Sequence, residues 1–365
     1  MMPKRFLKPF GLVILAALIG IGIGLLRIER QKRRLSLRAQ SNLKILSLRG
    51  ILSPELRELF EKSSGSKISL TEVENSEDIL PQLSESAFDA VILFENQISQ
   101  AVQSGLIQSG GVLANSFLQD LANVPTDFSD FSGRPNSKNV LPILWGVTGY
   151  AQLSAATAEA PSCTLWVAWL QNAKAERSRV LGLPNSTREI EHLADCASAR
   201  TGGGPTVFSS SNAELNHWAT RIQLSASELS AAEFTNTATP PQFVVTSHGS
   251  MAFAPLKEWK FSTRSDESEL WILEVALTTA TKNQKAVTEF FDFLSSHEAS
   301  RMLIDFTHQA SPNRLVEKDE LDPRLKPSYL RQIPLTQYHL RPESPRAGEI
   351  RKYLQAVQRK ASDKR

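Results

Sequence analysis

The chain has 365 residues, 41% of them apolar and 22% charged, with a net charge of +3. That length suffices for two domains of ordinary size. The small basic excess lies mostly near the two ends of the chain, whereas a nucleic-acid-binding protein carries a basic stripe on a folded domain. The composition therefore predicts a globular protein that does not bind nucleic acid.

An apolar N-terminal segment lies between basic residues. The uncharged run Phe10–Leu26 is slightly shorter than the ~20 residues that span a bilayer comfortably. Arg27 and further basic residues follow it in place of the small residues of a cleavage site, so we expect an uncleaved signal anchor rather than a cleaved signal peptide. These basic residues alone favour a cytoplasmic body. The fold expected below favours an extracytoplasmic body, and we take that orientation.

The first part of the folded chain alternates strands with helices. Ser53 and Pro54 are typical of the start of the first helix and Gly65 of its end. This order predicts a parallel α/β sheet, in which ligands bind beyond the carboxyl ends of the strands. The predicted strands are Leu43–Leu48, Lys67–Val73 and Ala90–Phe94, and the predicted helices follow Ser53, Ser76 and Asn96.

A second set of strands and helices follows a polar loop at Ser109–Asn139. Trp145 is expected in the core where two lobes join rather than in a cleft wall. His248, in a Gly/Ser turn at a strand end, is expected to be a solvated loop histidine rather than a residue that hydrogen-bonds a ligand. The predicted strands are 140–150, 180–183, 243–246 and 271–277, and one amphipathic helical stretch covers 285–306.

Four stretches, in this order, resemble the periplasmic spermidine/putrescine-binding proteins, which are extracytoplasmic solute-binding components of ABC importers. The stretches are Ala87–Ile92 with Ser104–Gln108, Leu141–Tyr150, Trp271–Asn283 with the helix behind it, and the turn Ser311–Asn313. The resemblance implies the two-lobed α/β periplasmic binding protein fold, each lobe a mixed sheet flanked by helices, here preceded by one N-terminal transmembrane helix.

The resemblance also implies a division of the chain. Residues 1–41 are predicted as the anchor and its basic linker, and 341–365 as a basic C-terminal helix and tail. The first lobe is predicted from 42–144 with 272–310, and the second from 145–271 with 311–340. A ligand would be enclosed between the lobes by hinge bending.

Candidate ligand contacts come from strand ends and from positions that the resemblance implies. The predicted contacts are Arg49, Glu95, Asn96, Glu189, Ser247, Trp271 and Gln309. Arg49 follows a strand end and suits an anion, or else pairs with a surface carboxylate. Glu189 is either a ligand contact or a first-turn carboxylate that stabilises its helix. We expect Arg49 and Trp271 to be solvated while the cleft is empty.

The residues that a polyamine cage needs are mostly replaced. Arg49 stands where the family has an aromatic cluster, Leu273 where it has a carboxylate, and Gln309 where it has a tyrosine. A polyamine beside Arg49 with few carboxylates in reach would leave buried charge poorly paired. We therefore expect altered ligand specificity: the partner is a small solute, either a polyamine or another compound, and polyamines are expected to bind weakly.

The sequence contains no motif that predicts catalysis, a metal or a cofactor. Ser247–Ser250 is not a nucleophile elbow, His297–Glu298 lacks a second histidine, and Thr201–Pro205 lacks the lysine of a phosphate-binding loop. Cys163 and Cys196 could form a disulfide or remain buried thiols.

Two functions are consistent with these patterns. The first is a receptor that binds a small solute and docks on an ABC permease. The second is a membrane-anchored module whose cleft has degenerated and which serves as an envelope scaffold or sensor partner. Both predict a non-enzyme in the periplasm or an equivalent space, held at the cytoplasmic membrane by its N-terminal helix.

Overall fold

The structure is a computed structural model, and it describes residues 41–108, 140–153, 181–184, 186, 222–225, 234, 241, 243–253, 259–263, 269–326 and 329. Among these residues, no helix is long and apolar enough to cross a membrane. The predicted anchor and linker at 1–41 lie outside the described residues, except for Ser41. Glu189, both cysteines and the predicted C-terminal helix also lie outside them.

The first lobe is built on three parallel strands whose side chains form one apolar core. Ser53 caps the first helix by accepting from the backbone N–H of Leu56, and Gly65 ends it with a φ of 77°. Both features confirm the sequence prediction. The elements are β1 (Asn42–Leu48), α1 (Pro54–Ser64), β2 (Lys67–Val73), α2 (Ile79–Glu85), β3 (Ala90–Phe94) and α3 (Glu95–Gln103).

Two long antiparallel strands, β4 (Val140–Leu153) and β9 (Glu269–Leu277), connect the two halves of the sheet. β9 pairs with β3 of the first lobe along residues Leu273–Leu277. The register of β4 against β9 shifts between Pro142 and Leu144. Proline has no N–H to give to the ladder, so an irregularity at this position is expected.

The second lobe continues the sheet on the other side of β4. Its strands β5, β6 and β7 are parallel to one another, and β7 pairs antiparallel with β4. The sheet order is β2-β1-β3-β9-β4-β7-β5-β6, with β8 paired to β4. The described elements are β5 (Leu181–Leu183), β6 (Ile222–Leu224), β7 (Phe243–Ser247), α4 (His248–Ala252) and β8 (Trp259–Ser262).

Two helices follow β9. After them a third segment, in addition to β4 and β9, crosses from one lobe to the other. The predicted helical stretch 285–306 is two helices, α5 (Gln284–Leu294) and α6 (His297–Thr307), because Ser296 caps a new helix through the N–H of Ala299. Beyond α6, Ala310 pairs with Trp145 of β4. The side-chain amide of Asn313 then donates to the carbonyl of Ser295 (2.6 Å) and the hydroxyl of Ser300 (2.8 Å).

Candidate functional site

A cleft between the two lobes follows from the strand registers. β1 and β3 run parallel to β4, whereas β7 runs antiparallel to it, so the two sets of strands point toward each other. Through β9, the last residue of β3 is level with Leu144 of β4, and the last residue of β7 is level with Thr148. The carboxyl ends of both lobes therefore face each other across a short stretch of β4, which is where such sheets bind ligands.

Three chain segments form the floor of this cleft. They are the centre of β4 at Trp145–Val147, the paired part of β9 at Leu270–Ile272, and the segment around Ala310, whose carbonyl accepts from the N–H of Trp145 at 2.9 Å. Trp145 is fully buried, as the sequence predicted. The floor is thus a packed continuation of the sheet between the lobes.

Trp271 belongs to this floor and packs into the first-lobe core. It is only 2% exposed, and its ring meets Phe94 edge-on with centroids 6.0 Å apart. The indole lies directly over Gly146, where a Cβ would come within 2.2 Å of its six-membered ring. The expectation that Trp271 is solvated when the cleft is empty is wrong, because a glycine on the neighbouring strand gives its ring a place inside the sheet packing.

The first-lobe edge carries Arg49, Glu95 and Asn96. Arg49 follows β1, and its guanidinium forms an ion pair with Glu74 while its side chain stays 63% exposed. This pairing matches the alternative of a surface partner that the sequence left open. Glu95 is buried in the first turn of α3, and Asn96 beside it is half-buried. The edge therefore offers a carboxylate and an amide beside an exposed, paired cation.

The second-lobe edge brings Ser247 and Gln309 together. The Ser247 hydroxyl donates to Oε1 of Gln309 at 2.6 Å, and Nε2 of Gln309 donates to the Ser250 hydroxyl at 2.9 Å. The two serine oxygens are 3.0 Å apart. Since the Ser247 proton is directed to Gln309, the Ser250 hydroxyl is the donor of that last pair. All three side chains are buried, so this closed ring of hydrogen bonds is uncharged and turned inward.

His248 corrects a prediction, because it is fully buried rather than a solvated loop residue. It begins the short helix α4, capped by Ser247. Its Nδ1 accepts from the N–H of Val147 at 2.9 Å, just past the end of β7. The imidazole thus satisfies a β4 amide that has no strand partner there. Its ring lies 4.5 Å from Trp145 and 5.3 Å from Tyr329.

Burial sets the charge of His248. The pKa of the imidazole is lowered to about 3, and loss of hydration is the largest cause; the charge of Arg324 also lowers it, while the backbone bond to Arg324 and the charge of Asp322 raise it. Arg324 itself forms a two-pronged ion pair with Asp322 at 2.9 and 2.7 Å. The histidine beside the cleft is therefore neutral at physiological pH.

Sequence reasoning placed His248 at this strand end but as a solvated residue, and it missed Ser250 as part of this edge. The available signal was the spacing Ser247-x-x-Ser250, which suits a helix cap, but Gly249 within it favours a turn. Glu189 was predicted on this edge and lies outside the described residues. No group of three metal-ligating side chains occurs in the part of the chain that the structure describes.

Comparison with solved structures shows that this fold is shared with proteins named for solute binding or transport. A protein from Listeria monocytogenes assigned to a spermidine/putrescine ABC transporter superposes with a TM-score of 0.65 at 19% identity, covering 86% of this chain and 97% of the other. The spermidine/putrescine substrate-binding protein PotD from Streptococcus pneumoniae gives 0.60 at 17% identity, with 87% and 99% covered. Iron-bound HitA from Pseudomonas aeruginosa gives 0.57 at 12%, with 86% and 99% covered.

These similarities confirm the resemblance at the level of fold. The chain has the two-lobed α/β fold of the polyamine-binding-like proteins, with one mixed sheet running through both lobes. No family model matches the chain, and no curated protein sequence matches it significantly.

Proposed function

We propose that this protein is the extracytoplasmic solute-binding component of an ABC importer, and that its ligand is a small polar solute other than a polyamine. The observation that carries this proposal is the cleft itself, in which the carboxyl ends of two sets of parallel strands face each other. Strand ends and helix starts on both sides let one ligand touch both lobes, and such contacts favour the closed state. The protein would then deliver its solute to a permease.

The proposed ligand contacts are those predicted from the sequence. Arg49, Glu95 and Asn96 lie on the first-lobe edge, Ser247 and Glu189 are assigned to the second lobe, and Trp271 and Gln309 are assigned to the floor. Arg49 would leave Glu74 to reach an anionic group, since an exposed ion pair is worth little. Ser247 and Gln309 are buried here, so a contact between either side chain and the ligand requires that side chain to leave their shared hydrogen bond.

The charge at the cleft argues against a polyamine. Of the described residues predicted to contact ligand, one is a carboxylate (Glu95) and one a cation (Arg49), and Ser247 and Gln309 are uncharged. A polyamine needs a carboxylate or equivalent for each buried ammonium group. One of the compared proteins is named for spermidine and putrescine and another is iron-bound, which supports treating fold and ligand separately.

Mass spectrometry tests this proposal most directly. The full chain, purified without added ligand and then denatured, should release a small molecule in near-stoichiometric amount. Melting curves should then rise by several degrees with that molecule, since stabilisation follows the logarithm of ligand concentration over the dissociation constant. Spermidine and putrescine should raise the melting temperature little even at millimolar concentration. A large rise with micromolar polyamine would overturn our view of the ligand.

We also propose that the N-terminal segment anchors the protein, with the body outside the cytoplasm. A reporter enzyme that is active only outside the cytoplasm, fused after Arg365, should be active, and the mature protein should keep its N-terminus. Activity of a cytoplasmic reporter alone would exclude the transport role. A soluble form that begins near Gln40 would exclude only the anchor.

The second candidate is a membrane-anchored scaffold or sensor partner without a transport ligand. The observation that favours it is the hydrogen bond between Ser247 and Gln309, two predicted ligand contacts that are buried and bound to each other. If no small molecule is released and a broad panel of amino acids, sugars, organic acids and cofactors leaves the melting temperature unchanged, this second function becomes the better one.

A further inference from the structure

A polar contact between the lobes lies at one corner of the cleft. Ser247 and Ser250 belong to the β7–α4 corner of the second lobe, and Gln309 follows the last helix of the first lobe. Their three side chains form the closed ring described above, with each donor directed to the next acceptor. A sliding motion between β7 and the 309–310 segment would break these buried bonds together, at a cost for each polar group left unpaired.

The backbones meet at the same corner. A Cβ on Gly249 would lie 2.9 Å from both Cα of Gln309 and the carbonyl oxygen of His308. Glycine is therefore the residue that allows α4 to press against the end of α6. His308 has a left-handed backbone, with φ 56° and ψ 35°, which turns the chain from α6 into the crossing segment.

Apolar contacts extend this corner outward. Phe253, just after α4, stacks on His308 with ring centroids 4.2 Å apart. Ala252 packs on a small core formed by Ile304 of α6 with Val316 and Leu325. The short helix α4 thus packs against the segment that follows α6, through a polar ring at its start and apolar groups at its end.

We propose that this corner, made of the β7–α4 turn and residues 308–310, is the pivot of the lobe movement, and that Gln309 is a positioning residue that limits how far the lobes open. A rotation about the corner leaves its short contacts intact, whereas the far edges of the sheet at β2 and β6 move most. Because β4 and β9 are continuous through both lobes, they can twist while the corner holds its position. The proposal rests on the proposed function only in requiring that the lobes move.

The test is made without ligand, so that its failure is distinct from a failure to bind solute. Ketone-bearing amino acids at Gln100 of α3 and Gln223 of β6 carry spin labels in the full chain, which leaves Cys163 and Cys196 unchanged. Distances between the labels are measured by pulsed electron paramagnetic resonance in the wild type, in Gln309→Ala and in the milder Ser250→Ala. Both variants should lengthen and broaden the distribution of distances between the labels relative to the wild type, because the hydrogen bonds that limit how far the lobes open are lost.

Ser64→Ala is the matched control. Ser64 is a buried serine of the first lobe that donates to the carbonyl of Phe60 at 2.9 Å and accepts from the N–H of Ser66 at 3.1 Å. Its replacement should lower the melting temperature about as much as Ser250→Ala does and leave the distances unchanged. If Ser250→Ala and Gln309→Ala lower the melting temperature but keep the wild-type distances, the ring is merely structural and the pivot is elsewhere.

Discussion

The two ends of β3 have different roles. At its start, Asp89 accepts hydrogen bonds from the N–H of Lys44 (2.9 Å) and the hydroxyl of Thr281 (2.7 Å), so that it ties β1 to the loop after β9. At its end, Glu95 and Asn96 open a helix beside the cleft. Asp89 lies in a stretch that carries the family resemblance, whereas the cleft positions differ from the family. Asp89 therefore helps to make this chain recognisable by holding the fold at the edge away from the cleft, and it says little about the ligand.

The largest effect on stability is expected at the cleft floor. It tests whether residues of the floor stabilise the fold as those at the edge away from the cleft do. Gly146→Val places a side chain inside the Trp271 ring, so we expect a loss of about 3 kcal/mol in the free energy of unfolding, from overpacking. Urea denaturation measures it. If the clash is the cause, Gly146→Val combined with Trp271→Leu should lose less than the sum of the two single changes. A Gly146→Val protein of wild-type stability would contradict this packing.

Removing the Asp89 carboxylate tests the edge of the first lobe that lies away from the cleft. Asp89→Ala leaves the partly buried N–H of Lys44 and the hydroxyl of Thr281 without their acceptor, and we expect a loss of about 1–2 kcal/mol. Glu85→Ala, at an exposed carboxylate of the same lobe, should change stability by less than about 0.5 kcal/mol. Ligand affinity should be unchanged in both. A weaker ligand in Asp89→Ala alone would show that the far edge and the cleft are coupled.

Acidification tests the second-lobe edge through His248. Its folded-state pKa of about 3 lies below the ordinary value of 6.5, so the unfolded chain takes up a proton first and stability falls as pH drops below 6.5. Between pH 6.5 and 4.5 this group alone should remove about 2 kcal/mol. His248→Gln should be less stable at pH 7 but should lose less on acidification, as measured by urea denaturation at each pH. If the free energy of unfolding fell equally with pH in both proteins, His248 would take up its proton as readily in the folded as in the unfolded chain.

The smallest effect on stability is expected at the first-lobe rim. Arg49→Ala breaks an exposed pair with Glu74 and should change the free energy of unfolding by less than about 0.5 kcal/mol. If Arg49 contacts the ligand, the same change should weaken binding by about 1–3 kcal/mol, as calorimetry would detect. Loss of stability with unchanged binding would reverse the comparison and assign Arg49 to the fold.

The sequence by itself determined the local elements of this protein. Ser53, Pro54 and Gly65 delimit α1 through caps that involve neighbouring residues, and the alternation of strands and helices predicted the parallel first lobe. Such signals depend on contacts within a few residues, so they can be recognised along the chain. The order of the four family-like stretches extended this to the two-lobed fold.

Only the tertiary structure decided where the polar residues of the cleft are directed. Ser247 and Gln309 are 62 positions apart and meet because β7 and the segment after α6 both flank β4. His248 is buried because β7 ends where the N–H of Val147 still needs an acceptor. Trp271 is buried because Gly146, on a strand far away in sequence, leaves room for its ring. Each outcome depends on register between distant strands, which local patterns do not encode.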